Sequence, residues 1–191
     1  MTLNGAKVGF AMTGSFCTFA TALTCLEEII ACGAEVTSII SAAADTLNTR
    51  FMTADALKCS LETLTQRPII RTIEAAEPIG PRRMFDIMIV LPATGNTLAK
   101  IVMGITDTSV TMAVKSHVRN ARPVVLGISS NDALGNNAKN IGSLLNTRNI
   151  FFVPFLQDDP EHKPRSLIFR RDRVIPALEA ALEHQQVQPI L

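Results

Sequence analysis

Residues 86–91 read DIMIVL, and residues 92–97 read PATGNT. The apolar run at residues 87–91 is unbroken. A strand with one wet face would alternate apolar and polar residues, so a continuous run marks a strand buried on both faces. Small residues bearing hydroxyls and an amide follow at once, where the chain leaves the core.

Working outward, the same alternation of short apolar runs and helical stretches recurs. Residues 6–12 form a first strand, ended by a turn at Thr13-Gly14. A helix follows over residues 15–32, stopped by Gly33. The β-branched run at residues 35–40 is a second strand. Helices are predicted at 53–65, 109–120, 136–146 and 175–184, and strands at 123–128 and 150–153. This pattern implies an α/β fold: a three-layer, Rossmann-like or flavodoxin-like parallel sheet with helices on both faces. Two segments break it. Residues 66–83, rich in Pro, Glu and Arg, read as a long surface excursion. Residues 157–173, the most charged part, read as a flap or arm. Asp107 is expected to cap the helix that begins near Ser109.

The chain has 191 residues, which suits one core rather than two, so residues 1–191 are expected to form a single domain. Its net charge of +1 offers no electrostatic argument for nucleic acid. With no Trp and no Tyr, stacking on a planar ligand falls to Phe, His or Arg. Cys17, Cys25, Cys32 and Cys59 show no CxxC pair and no interleaved His, so no metal site is expected. They read as reduced, buried packing residues. The N-terminus lacks the basic and apolar regions of a signal peptide, and no apolar run is long enough to span a bilayer. A cytoplasmic location and no membrane association are expected. His117 reads as a surface or interface residue of a helix, and His162 as a weak candidate for proton transfer.

In an open parallel sheet, ligands bind beyond the carboxyl ends of the strands. Gly14 and Ser15 follow the first strand, in a small-residue turn that opens a helix. Free backbone N–H groups there suit a phosphate, though Thr13 or Ser15 could equally be a helix cap. The GxGxxG spacing for a dinucleotide is missing, and a monophosphate fits better. Ser41, before three alanines, ends the second strand; its hydroxyl can donate to phosphate or sugar, or simply close a turn. Thr94, Asn96 and Thr97 follow the third strand. Ser129 and Asn131 follow the fourth, where an Asx-type turn is the plainer reading.

With those residues in view, the chain resembles the flavoprotein family of homo-oligomeric flavin-containing Cys decarboxylases. The likeness is carried by Gly14-Ser15, by Ser41, and above all by PATGNTLAKIVMGITD at residues 92–107. That family includes phosphopantothenoylcysteine decarboxylase, lantibiotic decarboxylases and flavin prenyltransferases. The resemblance implies bound flavin mononucleotide. Phosphate and ribityl contacts then fall to Gly14, Ser15 and Ser41, flavin contacts to Thr94, Asn96 and Thr97, and a further pocket to Ser129 and Asn131. It also implies a homo-oligomer.

The segments AEPIGPRRMFD, SSNDALGNNAKNIGSLLN and NIFFVPFLQDDPEHKPRS resemble one branch of the family, found in spore-forming bacteria. Its members form one subunit of an enzyme that makes a pyridine dicarboxylate. That likeness implies an oxidoreductase subunit acting on a dihydro or hydroxy-tetrahydro precursor, with NAD(P) bound only by a partner A subunit. Lys139, Lys163 and Arg165 are candidate cations for the dicarboxylate, or else solvated surface charge. The departures weigh against a decarboxylase. The family's His falls by the likeness near Pro78, and no His precedes residue 117. The flap Cys is missing as well, since no Cys follows Cys59. A flavin-dependent decarboxylase and a non-catalytic flavin-binding assembly subunit remain the alternatives.

Overall fold

The computed structural model describes residues 2–191. Four parallel strands form its centre: β1 (Lys7–Met12), β2 (Glu35–Ile40), β3 (Ile87–Ala93) and β4 (Val124–Ser130), side by side in the order β2-β1-β3-β4. Each strand after β1 closes a crossover, because a parallel neighbour can only be reached by carrying the chain back over a face of the sheet. β5 (Ile150–Phe152) pairs in parallel with the first half of β4. The second half of that strand, at Ser129 and Ser130, pairs instead with an antiparallel strand, β7 (Leu167–Phe169), which pairs with β6 (Phe155–Leu156). The sheet is therefore mixed: the expected parallel core carries an antiparallel hairpin at its end.

Every residue of β3 is buried, as the unbroken apolar run requires. Successive side chains go to opposite faces, so Ile87, Ile89 and Leu91 enter one core while Met88 and Val90 enter the other. The first core is covered by α1 (Phe19–Ala31), α3 (Ala54–Thr65) and α8 (Val174–Leu182), through residues such as Leu26, Leu57 and Leu178. The second is covered by α5 (Gly95–Met103), α6 (Ser109–Val118) and α7 (Ala138–Leu145), through Leu98, Val114 and Ile141. Two short helices, α2 (Ala42–Thr46) and α4 (Ile73–Ala76), complete the set.

Four local expectations are corrected. The segment 66–83 is not a mere surface excursion: Ile70 bridges to Ile39 beside β2, and Ile70, Ala76 and Ile79 are buried in the second core. Asp107 does not cap α6. Thr108 does, in a reciprocal capping box with Thr111, while both oxygens of Asp107 lie 2.8 Å from Lys100 Nζ. That hydrogen bond holds the Asp107 carboxyl below the ordinary carboxylate range. Of the cysteines only Cys25 is buried; Cys17, Cys32 and Cys59 are exposed. Burial pushes the Cys25 thiol up to about 12, so it stays protonated as a packing group.

His117 is the fourth. It is buried in α6, not at the surface, with its Nε2 lacking any hydrogen-bond partner. Its ring packs by Phe85, at 6.4 Å between centroids. Burial, helped by the Arg122 guanidinium, pushes its pKa down to about 4, against the opposing effects of the Pro123 backbone and Asp86. The folded state thus keeps His117 neutral in a range where the unfolded chain, near 6.5, takes up a proton. Stability from this group is complete above pH ~6.5 and is lost as pH falls toward ~4. His117→Leu should remove about 3 kcal/mol of that acid-side loss. Urea unfolding of both proteins at about pH 7 and about pH 4.5 measures it; an unchanged pH dependence would assign the loss to other groups.

Candidate functional site

The chain runs from β1 to one side, into β2, then returns across β1 to β3 and β4. The crevice between the ends of β1 and β3 is therefore the point where strand order reverses, the usual ligand site of an open α/β sheet. Thr13 and Thr94 stand on either side of it. The Thr13 hydroxyl donates to the Pro92 carbonyl at 2.7 Å, and the Thr94 backbone N–H donates back to Thr13 Oγ1 at 3.1 Å. The Thr13 backbone N–H reaches the same carbonyl at 3.3 Å, so backbone and hydroxyl together tie the two strand ends.

Ser15 is not a helix cap. Neither it nor Thr18 makes a side-chain capping bond to the 3₁₀ turn Phe16–Thr18 or to α1. Its Oγ instead lies 2.7 Å from Ser129 Oγ, joining the loop after β1 to the end of β4, with β3 between those two strands in the sheet. Thr18, which the sequence did not single out, closes this group: its hydroxyl lies 2.8 Å from the Ser15 carbonyl and 3.3 Å from Ser129 Oγ. Its place three residues after Ser15, in the first turn of the helical stretch, was the available signal. Without a capping side chain, the helix start presents N–H groups that have no intrahelical acceptor.

Ser41 anchors the next strand end. Its N–H donates to the Met12 carbonyl at 3.0 Å and its Oγ caps α2 by accepting from the Ala44 N–H at 3.4 Å. Gly14 allows this loop to close on that of β1, since a Cβ at position 14 would lie 3.3 Å from the Ala43 methyl. Phe16 is the aromatic ring beside Gly14, held edge-on to Phe19 at 5.4 Å. Across the crevice, Thr94 caps α5 and its hydroxyl meets that of Thr97 at 2.9 Å. Thr97 is buried, whereas Asn96 is exposed in the same turn. Asn131 is exposed, with Oδ1 accepting from Ser166 Oγ of the hairpin at 3.5 Å.

The three cations named from sequence are less closely gathered. Arg165 lies against the loop after β4: its carbonyl accepts from Leu134 N–H at 2.9 Å, and its stem reaches Gly135. Lys163 pairs with Asp158 at 3.7 Å within the charged segment, and Lys139 is exposed near the start of α7. His162 Nδ1 lies 3.0 Å from Asp159 Oδ1, within the same charged segment. Pro78 sits in the 3₁₀ turn Glu77–Ile79, packed on α6 near the start of β3, so its neighbourhood is not that of the crevice. Of the same segment, Arg71 comes nearer, its Nε 2.8 Å from Asp45 Oδ1 in α2.

A cavity of about 410 Å³ lies between α5, α6 and α7, walled by Ile101, Val114, Val118 and Leu144. It holds none of the strand-end residues. The crevice is the better candidate because hydroxyls from three strand ends converge there, and polar convergence rather than depth marks a binding site.

A sequence profile of the Flavoprotein family matches residues 1–172. The chain belongs to the Flavoprotein family. It is 45% identical to the B subunit of dipicolinate synthase of Bacillus subtilis strain 168 over 189 residues, covering 99% of this chain and 94% of that one. The crystal structure of the dipicolinate synthase B subunit from Bacillus halodurans superposes with a TM-score of 0.91 at 41% identity, covering 100% of this chain and 98% of the other. The FMN-dependent cysteine decarboxylase SpaF shares the fold, with a TM-score of 0.69 at 20% identity and coverage of 94% and 98%. As a member of this family, the chain keeps the α/β flavodoxin-like fold expected from its sequence. Among the described residues, no helix is long and apolar enough to cross a membrane.

The Ser15–Ser129 contact yields a direct test. Ser15→Asp places a carboxylate at the uncapped helix start, where an incoming phosphate would meet a like charge. Fluorescence titration with flavin mononucleotide should show the dissociation constant rising by roughly tenfold, about 1.4 kcal/mol. An unchanged constant in a folded variant would move the phosphate site elsewhere.

Proposed function

We propose that this chain is the flavin-mononucleotide-binding subunit of a dipicolinate synthase. In this reading it forms pyridine-2,6-dicarboxylate from a dihydro or hydroxy-tetrahydro precursor, together with an A subunit that binds NAD(P). It works in the cytoplasm of a sporulating mother cell. The observation that carries the reading is the near-full-length identity to the B subunit of a dipicolinate synthase.

The residues present fit the cofactor. The uncapped helix start after β1 suits a single phosphate, and Gly14 leaves room beside it. Ser15, Ser41 and Ser129 offer hydroxyls for phosphate and ribityl oxygens, and Thr94, Asn96 and Thr97 border the place for the ring system. Bound flavin supplies an acceptor for hydride. Asn131, Lys139, Lys163 and Arg165 lie on the side of the loop after β4 and its hairpin, and they are the proposed contacts for a dianionic substrate. Self-association is supported by Met103 and Ile105, 72% and 45% exposed at the turn after α5, beside the apolar cavity.

Titration with flavin mononucleotide and with NAD should show tighter binding of the flavin; the reverse order would overturn the cofactor assignment. Absorbance of the aromatic diacid should then rise at full rate only when this chain and an A subunit are combined. Full-rate product from this chain alone would overturn the two-subunit reading. Light scattering at micromolar concentration should report a homo-oligomer, and a stable monomer would remove that part.

A further inference from the structure

Two carboxylates stand just beyond the ends of β1 to β4: Asp45, in α2, and Asp132, in the loop after β4. Asp45 is committed to cations, with Arg71 at 2.8 Å and Lys58 at 3.8 Å. Asp132 has no ion pair among the described residues. Its oxygens accept only from neutral amides: Asn136 N–H at 3.3 Å on Oδ1, and Asn137 Nδ2 at 3.3 Å on Oδ2. Both bonds are longer than the usual N–H···O range, and a carboxylate has about four acceptor sites. Asp132 is half-buried, held in place, and left with acceptor capacity.

The position of this carboxylate is set by its neighbours. Asn140, buried in α7, donates through Nδ2 to Asn137 Oδ1 at 2.9 Å, which aims the Asn137 amide at Asp132. The Asp132 carbonyl accepts from the N–H groups of Gly135 and Asn137, at 3.1 and 3.3 Å. Asn137 in turn is pressed against the first turn of α5. A Cβ at Gly95 would come within 2.4 Å of its Nδ2 and 2.9 Å of Ser130 Oγ, so only glycine admits this approach. One amide group therefore separates Asp132 from the turn that carries Thr94, Asn96 and Thr97.

Resting on the proposed function, we propose that Asp132 is the proton-transfer group for loss of water from the hydroxy-tetrahydro substrate. The carboxylate takes a proton from the ring carbon beside the one that bears the hydroxyl. The C–H electron pair becomes a ring C=C bond as the C–O bond breaks with its electrons on oxygen. Asp132 then returns its proton to the departing hydroxide, so one water leaves and the carboxylate is regenerated. The step consumes no oxidant, and hydride removal follows separately. The Asn137–Asn140 pair is the positioning element: it steadies the carboxylate through a neutral donor and leaves its charge without a counter-ion.

The test uses the full chain with its A subunit. Asp132→Asn keeps an acceptor for Asn136 or for Asn137, so folding and flavin affinity should match wild type. Product formation from the hydroxy-tetrahydro substrate should fall by about 100-fold, the lower range for loss of a general acid–base group. From the already dehydrated dihydro compound the variant should match wild type, which a structural role would not allow. Asp132→Ala should regain rate when acetate is added. Wild-type rates on the hydroxy substrate, or equal losses on both substrates, would overturn the inference. A marked drop in melting temperature of Asp132→Asn would do the same, by making the carboxylate structural. If wild type itself binds no flavin or makes no product with its partner, the proposed function fails and this step with it.

Discussion

The two-sided burial of β3 is the constraint on which the rest depends. A strand with all seven residues buried needs an apolar layer on each face, and here those layers are two sets of crossover helices. Most polar groups are then kept off both faces, with Ser38 and His117 as exceptions, and they gather where strands end. The groups that gather are mostly short neutral hydroxyls: Thr13, Ser15, Thr18, Thr94, Thr97 and Ser129. Such groups tolerate partial burial because each can be donor and acceptor at once, and they satisfy one another when no ligand is near. Of the carboxylates at the same edge, Asp45 is paired with Arg71, whereas Asp132 is held by neutral donors.

The central architecture is legible because its signals are local and strong. The run of β-branched residues at Glu35–Ile40 matches the strand found there, and the lack of alternation in DIMIVL matches burial on both faces. The hairpin is not legible, because β6 and β7 have only two and three residues, too short for any period to show. In the segment 66–83 the many charged and Pro residues hide a few apolar ones that matter, Ile70 and Ile79 among them. Asp107 and Thr108 are both good helix caps; what decides between them is Lys100, seven residues upstream of Asp107, which claims the carboxylate. His117 misleads because a helix with hydroxyls and a Lys looks wetter than it is.

The site is legible in kind rather than in detail. Polar strand ends can be listed from sequence once the strands are placed, and Ser15, Ser41, Thr94 and Ser129 all lie at strand ends in the structure. What cannot be seen is which of them touch. Thr13 taken alone is a possible cap; its real partner is a carbonyl 79 positions away. Ser41, by contrast, combines both of its sequence readings, since it turns the chain by capping α2 while remaining at the edge of the crevice.

That separation along the chain also sets an order of events during synthesis. The Ser15–Ser129 contact spans 114 positions, and β3 lies between its two ends in the sheet. The entropy of closing so long a loop grows only slowly with length, so the finished contact need not be weak. Contacts of this range nevertheless form late, after local helices and neighbouring strands. On the ribosome, the stretch of chain before β4 can build both sides of the crevice, Thr13 after β1 and Thr94 after β3, but lacks the Ser129 hydroxyl that holds Ser15. A nascent chain therefore has a crevice whose Ser15 turn stays untied until β4 emerges and docks.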